Sequence, residues 1–286
     1  MSCIPLKQYG NTYVFKSANK VRIAGISGTL LVKTGEQLDN VDELANANLI
    51  KKADGYYLKV TAFINKENFK DNIKKNGKEI GLDFGVKSSL TTSEGEKIDI
   101  SIGESDRLKR LQRKMSRQAK GSNNRRKTVN LIQREYLKLS NKKTDMANKI
   151  VHKLKAYSCI VMQDEQISSW HKGWFGKQVQ HSCLGLLKAK LKALPQTVIL
   201  DKWIPTTKWC PICGKKNDMP LEKRTYECSC GHAEDRDIHS AKNMLAIKDI
   251  VFSQQDFVPT GHREITLMEF KTSAGMLDRL ASKPGR

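Results

Sequence analysis

An aspartate stands in the middle of a short apolar run, Ile80-Gly81-Leu82-Asp83-Phe84, which then breaks at Gly85. A carboxylate on a central strand is costly to bury unless something positive sits on it. The usual occupants are a metal ion or a metal-bound phosphate. Asp83 therefore reads as the first of three metal-binding carboxylates, with its partners far downstream. Ile80–Phe84, Ser88–Thr92 and Lys97–Ile100 read as consecutive strands, with Ser93-Glu94-Gly95 turning the second into the third. A meander whose first strand carries an Asp begins an RNase H-like fold. It also begins the actin-like ATPase fold. The ATPase reading requires a second phosphate motif and a glycine-rich adenosine motif, and the sequence has neither.

Tyr157–Gln163 is a continuous apolar run suited to a central strand, followed by Asp164 and Glu165. In extended chain Gln163 and Glu165 share a face and Asp164 points the other way. Glu165 is thus the second candidate ligand, with Asp164 as the alternate. A loop over Trp170–Gln180 carries Trp170, Trp174 and Phe175. A helix over His181–Leu194 ends at Pro195, and Thr197–Leu200 forms another strand.

Seven cysteines occur, and four of them cluster as Cys210-Pro-Ile-Cys213-Gly214 and Cys228-Ser-Cys230-Gly231. Four soft ligands in two tight pairs, each followed by glycine, suit structural Zn²⁺ rather than two disulfides. The second pair is unusually close, so His232 is a minor substitute ligand. Cys3, Cys159 and Cys183 read as ordinary thiols, the last two buried. Asp237 follows the ribbon as the expected cap of a helix running to about Lys248, with Ile238, Ala241 and Leu245 on its inner side. It is the third candidate carboxylate, and Asp235 the alternate. Oxygen ligands of this type suit Mg²⁺ or Mn²⁺.

Lysine and arginine number 51 against 30 acidic residues, a formal charge of +21. Such an excess points to a polyanionic partner, nucleic acid first. There is no apolar run long enough to span a membrane and no N-terminal signal pattern, so the expectation is a soluble cytoplasmic protein, associated with the nucleoid, without a membrane partner. The charge concentrates in residues 105–157, a helical hairpin in which 106–155 hold 17 basic and three acidic residues. Leu108, Leu111 and Met115 mark one apolar face. Ile132, Tyr136 and Leu139 mark a second, continued by Met146, Ile150 and Leu154, and Ser122 is placed to cap the second helix. With so few acidic partners the cationic face repels itself. Arg107, Lys109, Arg110, Arg113, Lys114, Arg117, Arg125, Arg126 and Lys127 are the candidate nucleic-acid contacts. Residues 1–76 read as β-rich, with Val21–Ile23, Thr29–Lys33, Leu49–Lys52 and Tyr56–Phe63 as runs and Asp54-Gly55 as a hairpin turn; Asn65–Gly77 reads as a linker.

GLDFGVK, the KRLQRKMSRQAKGSNNRRK helix, VMQDEQI, CPICG…CSCGH and DRDIHSAKNM occur in that order over roughly residues 20–250. Together they resemble the TnpB (OrfB) family of transposon-encoded proteins, relatives of the type V CRISPR effectors. The resemblance implies an α/β, RNase H-like (RuvC) domain over 77–250 with the basic hairpin at 105–157 and an inserted zinc ribbon at 205–234. It implies a preceding partial β-barrel, wedge-like domain over 1–76 and leaves 251–286 as a tail. The implied activity is RNA-guided, two-metal cleavage of target DNA, with Asp83, Glu165 and Asp237 as the carboxylate triad and a guide RNA from the transposon end as partner. Against the family pattern the chain opens partway into the barrel, and His239 stands where asparagine is usual. The alternative function is a truncated or non-cleaving RNA/DNA-binding regulator or transposition accessory.

Overall fold

The computed structural model describes residues 3–33, 38–39, 41–65, 73–172, 175–220, 222–252 and 264–265, with side chains to Lys248. Trp174, most of the predicted linker and most of the tail lie outside the described residues. The chain divides into two compact units. One holds residues 1–72 and 105–138, and the other holds 73–104 and 139 onward. Residues 105–138, read from sequence with the nuclease module, thus group with the N-terminal sheets.

The first unit contains two three-stranded antiparallel sheets. Strand β1 (Cys3–Leu6) pairs with β5 (Glu43–Lys51), which pairs with β6 (Tyr56–Phe63); β2 (Tyr13–Ser17), β3 (Lys20–Ile23) and β4 (Leu30–Leu31) form the other. β1 and β2 are additions to the sequence reading, and β5 begins six residues before the predicted run. Glu43-Leu-Ala-Asn-Ala-Asn is poor in β formers, but β6 pairs with Glu43 and Leu44, and β1 and β6 flank Ala47 and Asn48, so pairing overrides propensity. Leu6, Tyr13, Val21, Ile23 and Ala47 form one cluster between the sheets. The Tyr13 hydroxyl donates to the Ala45 carbonyl at 2.9 Å, which satisfies its polar end.

The basic hairpin consists of α1 (Asp106–Ser116) and α2 (Asn123–Leu154). Ser105 caps α1 by accepting from the Leu108 amide at 3.1 Å. Ser122 accepts from the Arg125 amide at 3.2 Å, as the sequence led one to expect. Leu108 and Ile132 are buried, while Tyr136 and Met146, predicted on the inner stripe, are exposed. The reason for Tyr136 is polar: its hydroxyl accepts from the Gln112 side chain at 2.9 Å.

The second unit is built on a six-stranded sheet of order β14-β11-β10-β7-β8-β9. β7 (Glu79–Phe84), β8 (Leu90–Thr92) and β9 (Lys97–Ile98) form an antiparallel meander. β10 (Cys159–Gln163), β11 (Thr197–Leu200) and β14 (Glu264–Ile265) extend it in parallel from β7. Helices α3 (Ile167–Trp170), α4 (Gly176–His181) and α5 (Leu184–Lys192) lie between β10 and β11, and α6 (Arg236–Phe252) follows the ribbon. The predicted loop and single helix over 170–194 are therefore corrected to three short helices. The break falls at Ser182, whose buried hydroxyl donates to the Val179 carbonyl and accepts from the Leu184 amide.

Strand alternation sorts the two faces of this sheet. Ile80, Leu82, Phe84, Ile160 and Met162 pack with Ile150 and Leu154 of α2 and with Leu184, Leu187 and Leu191 of α5. Val161 and Leu200 pack on the other face with Met244 and Ile247 of α6. Gly81 and Asp83 therefore share the α6 face. Gly81 is required there, since a Cβ would stand 1.9 Å from the Ala241 carbonyl oxygen. The glycine lets α6 lie directly on β7.

Candidate active site and metal centres

Two residues beyond Gly81 on the same face, Asp83 reaches toward the first turns of α6. The buried Ser240 hydroxyl donates to Asp83 Oδ1 at 3.2 Å and lies 2.9 Å from Thr206 Oγ1. Asn243 donates to the Thr206 and Trp209 carbonyls at 2.6 and 2.7 Å. The Gln163 side-chain amide donates to the Asp201 and Ile204 carbonyls. This buried polar lattice holds α6, β10 and the segment after β11 in one arrangement, because each lost bond inside it leaves an unsatisfied group.

β7 and β10 run parallel with Leu82 opposite Met162, so the residues just past each strand emerge at one edge of the sheet. Glu165 arrives there beside Asp83. Asp164 does not join it: its carboxylate takes Lys188 Nζ at 2.6 Å, which holds its pKa below the usual range. The same ammonium donates to the Glu165 carbonyl and so fixes the turn. Glu165 itself is pushed up, by burial first.

Asp237 does not cap α6, contrary to the sequence reading. Asp235 is the cap, accepting from the amides of Asp237 and Ile238 at 3.1 and 3.3 Å and pairing with Lys97 at 2.7 Å. The cap lies two residues earlier than expected, so Asp237 falls inside the first turn with its carboxylate free to face the cavity. Among the described residues its one ion pair is with Arg236, at 3.3 Å.

Asp83, Glu165 and Asp237 line a single cavity of about 890 Å³, with Lys87, Arg224 and Arg236 also on its walls. Asp83 keeps part of its surface open to that cavity, yet desolvation is the first cause pushing its pKa up to about 8. The charges of Asp237 and Glu165 add to this, against the Ser240 hydrogen bond and the Arg236 charge. Three carboxylates facing one desolvated space favour a bound cation or a retained proton. Their oxygens are not among the groups, within the described residues, whose ligand atoms all lie within 4.8 Å of one another. Ser240, Lys188 and Arg236 escaped the sequence reading. The only available signal was the i,i+3 spacing of Ser240 from Asp237, which places both on one helical face.

The ribbon is the second centre. Cys210, Cys213, Cys228 and Cys230 bring their sulfurs within 4.8 Å of one another, so the group could hold one zinc ion. The 210–230 and 213–228 separations are 3.6 and 3.4 Å, too long for disulfides and near the ~3.8 Å edge of a tetrahedron with zinc–sulfur bonds of about 2.3 Å. Gly214 and Gly231 adopt φ of 69° and 89°, and their amides donate to the Cys210 and Cys228 carbonyls at 3.0 and 2.9 Å. The four cysteines suffice, so the substitute role for His232 falls away. Cys183 is buried, Cys3 exposed, and Cys159 only partly covered rather than buried.

The candidate nucleic-acid residues divide by environment. The Arg125 guanidinium donates to the Met115 and Gln118 carbonyls at 2.6 and 3.0 Å, so it closes the C-terminus of α1. Arg107 pairs with Glu135, Lys109 with Asp106, and Arg126 donates to the Asn123 side chain. Arg110, Arg113, Lys114 and Arg117 line one exposed concavity of about 440 Å³ and have no ion pair among the described residues. Lys127 is exposed.

Two segments of the chain match known protein families. Residues 61–164 match the IS605 OrfB family, described as a probable transposase, and residues 184–244 match the Cas12f1-like TNB domain. In these segments the chain is similar to the TnpB (OrfB) family. A Streptomyces pristinaespiralis protein named as an RNA-guided DNA endonuclease is 31% identical over 178 residues, 58% of this chain and 44% of that protein. The Escherichia coli protein InsQ, named likewise, is 28% identical over 210 residues, 64% of this chain and 52% of InsQ. A TnpB-like protein of Acanthamoeba polyphaga mimivirus is 26% identical over 226 residues, 66% of this chain and 41% of its own length. The chain thus spans about half the length, or less, of these TnpB relatives. No helix among the described residues is long and apolar enough to cross a membrane.

Proposed function

We propose that this TnpB-family chain is a metal-dependent endodeoxyribonuclease guided by an RNA from the transposon end. The sheet order, an antiparallel meander extended by parallel strands from its first member, supports an RNase H-like, RuvC-type core. The observation that carries the reading is the convergence of Asp83, Glu165 and Asp237 on one cavity, with Asp83 pushed up to about 8. Asp83, Glu165 and Asp237 would hold divalent Mg²⁺ or Mn²⁺ through their carboxylate oxygens. Such ions would supply Lewis-acid activation of a water and charge stabilisation of the leaving 3′ oxygen, consistent with a 5′-phosphate product. The chain's own residues do the rest. Ser240 orients the Asp83 carboxylate. Lys87, Arg224 and Arg236 offer positive charge on the cavity wall to the phosphates flanking the scissile bond. The four cysteines hold structural zinc, and the ribbon fixes the start of α6, hence Asp237. Arg110, Arg113, Lys114 and Arg117 bind the phosphate backbone of guide or target without reading sequence, which is left to base pairing.

The test is purification with co-expressed transposon-end RNA, followed by Mg²⁺-dependent cleavage of matched and mismatched DNA. Cleavage of the matched target alone is expected, and Asp83→Ala should abolish it while RNA stays bound. RNA binding without cleavage by the unaltered chain would favour the regulator reading.

A further inference from the structure

Beside the four cysteines lies a second group whose ligand atoms all fall within 4.8 Å of one another: His232, Glu234 and His239. We propose that these three side chains form a second zinc site, separate from the cysteine site and from the carboxylate cavity. They come from three places: the turn before β13 (Ala233–Asp235), β13 itself, and the first turn of α6. An ion held there would fasten the ribbon to the helix two residues beyond Asp237.

The hydrogen bonding of the two imidazoles points to an ion. His239 is fully buried, with its ring stacked on Tyr226 at 3.7 Å between centroids and 14° between planes. Its Nε2 lies 3.0 Å from the Asn243 amide nitrogen, whose two protons already go to the Thr206 and Trp209 carbonyls. Nε2 is therefore the nitrogen engaged by Asn243, and Nδ1 is the one open to an ion. That Nδ1 is buried without a hydrogen-bond partner among the described residues, and so is His232 Nε2. A buried nitrogen left unpaired is costly, because it has given up water for nothing. Two buried imidazoles, each with an unpartnered nitrogen and with ring atoms within 4.8 Å of each other, suit a shared ion. Glu234 supplies the third donor. Its Oε1 is taken by Lys242, while Oε2 lies 3.9 Å from His232 Nε2, too far for a hydrogen bond. Two imidazoles and a carboxylate form a borderline donor set that favours Zn²⁺ over Mg²⁺, with a fourth position left for water.

Co²⁺ titration of the full chain, with Asp83→Asn as background to empty the carboxylate cavity, tests this. Two equivalents should bind. One carries the intense thiolate-to-cobalt absorption of the cysteine site; the other adds weak visible bands without it. His239→Gln and His232→Gln should each remove the second equivalent and leave the thiolate band intact, which also shows that the ribbon still folds. Saturation at one equivalent, or a second equivalent that survives both histidine substitutions, overturns the proposal.

Discussion

Asp83→Asn should stabilise the protein in Mg²⁺-free buffer, and by more as the pH rises. The Asp83 carboxyl is held near 8 instead of 3.8, so the folded chain keeps a proton that the unfolded chain releases. With a raised folded pKa, this contribution to stability is fully present below about 4 and is lost as pH climbs through about 8. Each tenfold change in proton affinity is about 1.4 kcal/mol, which sets a ceiling of about 6 kcal/mol. The cavity is open to water and the repulsion is shared among three carboxylates, so ~2–3 kcal/mol is the working figure. Asparagine keeps the shape and removes the charge. Urea denaturation of both proteins at pH 5 and pH 8.5, with zinc retained, should show the advantage of the variant growing by that amount. Saturating Mg²⁺ should then raise the stability of the unaltered chain and not of the variant. An advantage independent of pH would refute the reasoning, because it would mean that Asp83 is not held protonated by its neighbours.

Gly81→Ala should push α6 off β7, since the new Cβ would meet the Ala241 carbonyl oxygen at 1.9 Å; we expect a loss of ~1–3 kcal/mol or more in thermal unfolding, with cleavage reduced because Asp237 moves with the helix. Lys188→Ala should cost about 1 kcal/mol by chemical denaturation, a figure discounted because the Asp164 side chain is 45% exposed. Without the nearby ammonium the Glu165 pKa rises further, so the acid limb of the cleavage pH profile should move to higher pH.

Much of the site was legible because strands alternate. A lone Asp in an apolar run, two residues after a glycine, already places both on one face. The turn after a parallel neighbour then brings Glu165 to the same edge. The cysteine spacing specified its own geometry. Asp237 was placed for the wrong reason: an acidic run, Glu234-Asp235-Arg236-Asp237, offers two capping candidates, and only the backbone start of α6 decides between them. Arg125 looked like one cation among many, although it closes α1 by binding carbonyls that no sequence pattern reveals. The inner lattice of Gln163, Thr206, Ser240 and Asn243 was invisible for a similar reason. Its partners are up to 157 residues apart and include several backbone carbonyls. Strand β1, Cys3-Ile-Pro-Leu, is held by pairing with β5 rather than by propensity, whereas the Tyr13-Val-Phe run of β2 was a legible signal that the reading passed over.

The central claim is that Asp83, Glu165 and Asp237 share one divalent-cation centre. Anomalous diffraction from crystals soaked in Mn²⁺ tests it most directly. The account predicts two manganese peaks in the cavity, about 3.5–4 Å apart, with Asp83 touching both. Peaks only at the ribbon or on the surface, with the three carboxylates unliganded at saturating Mn²⁺, would contradict it.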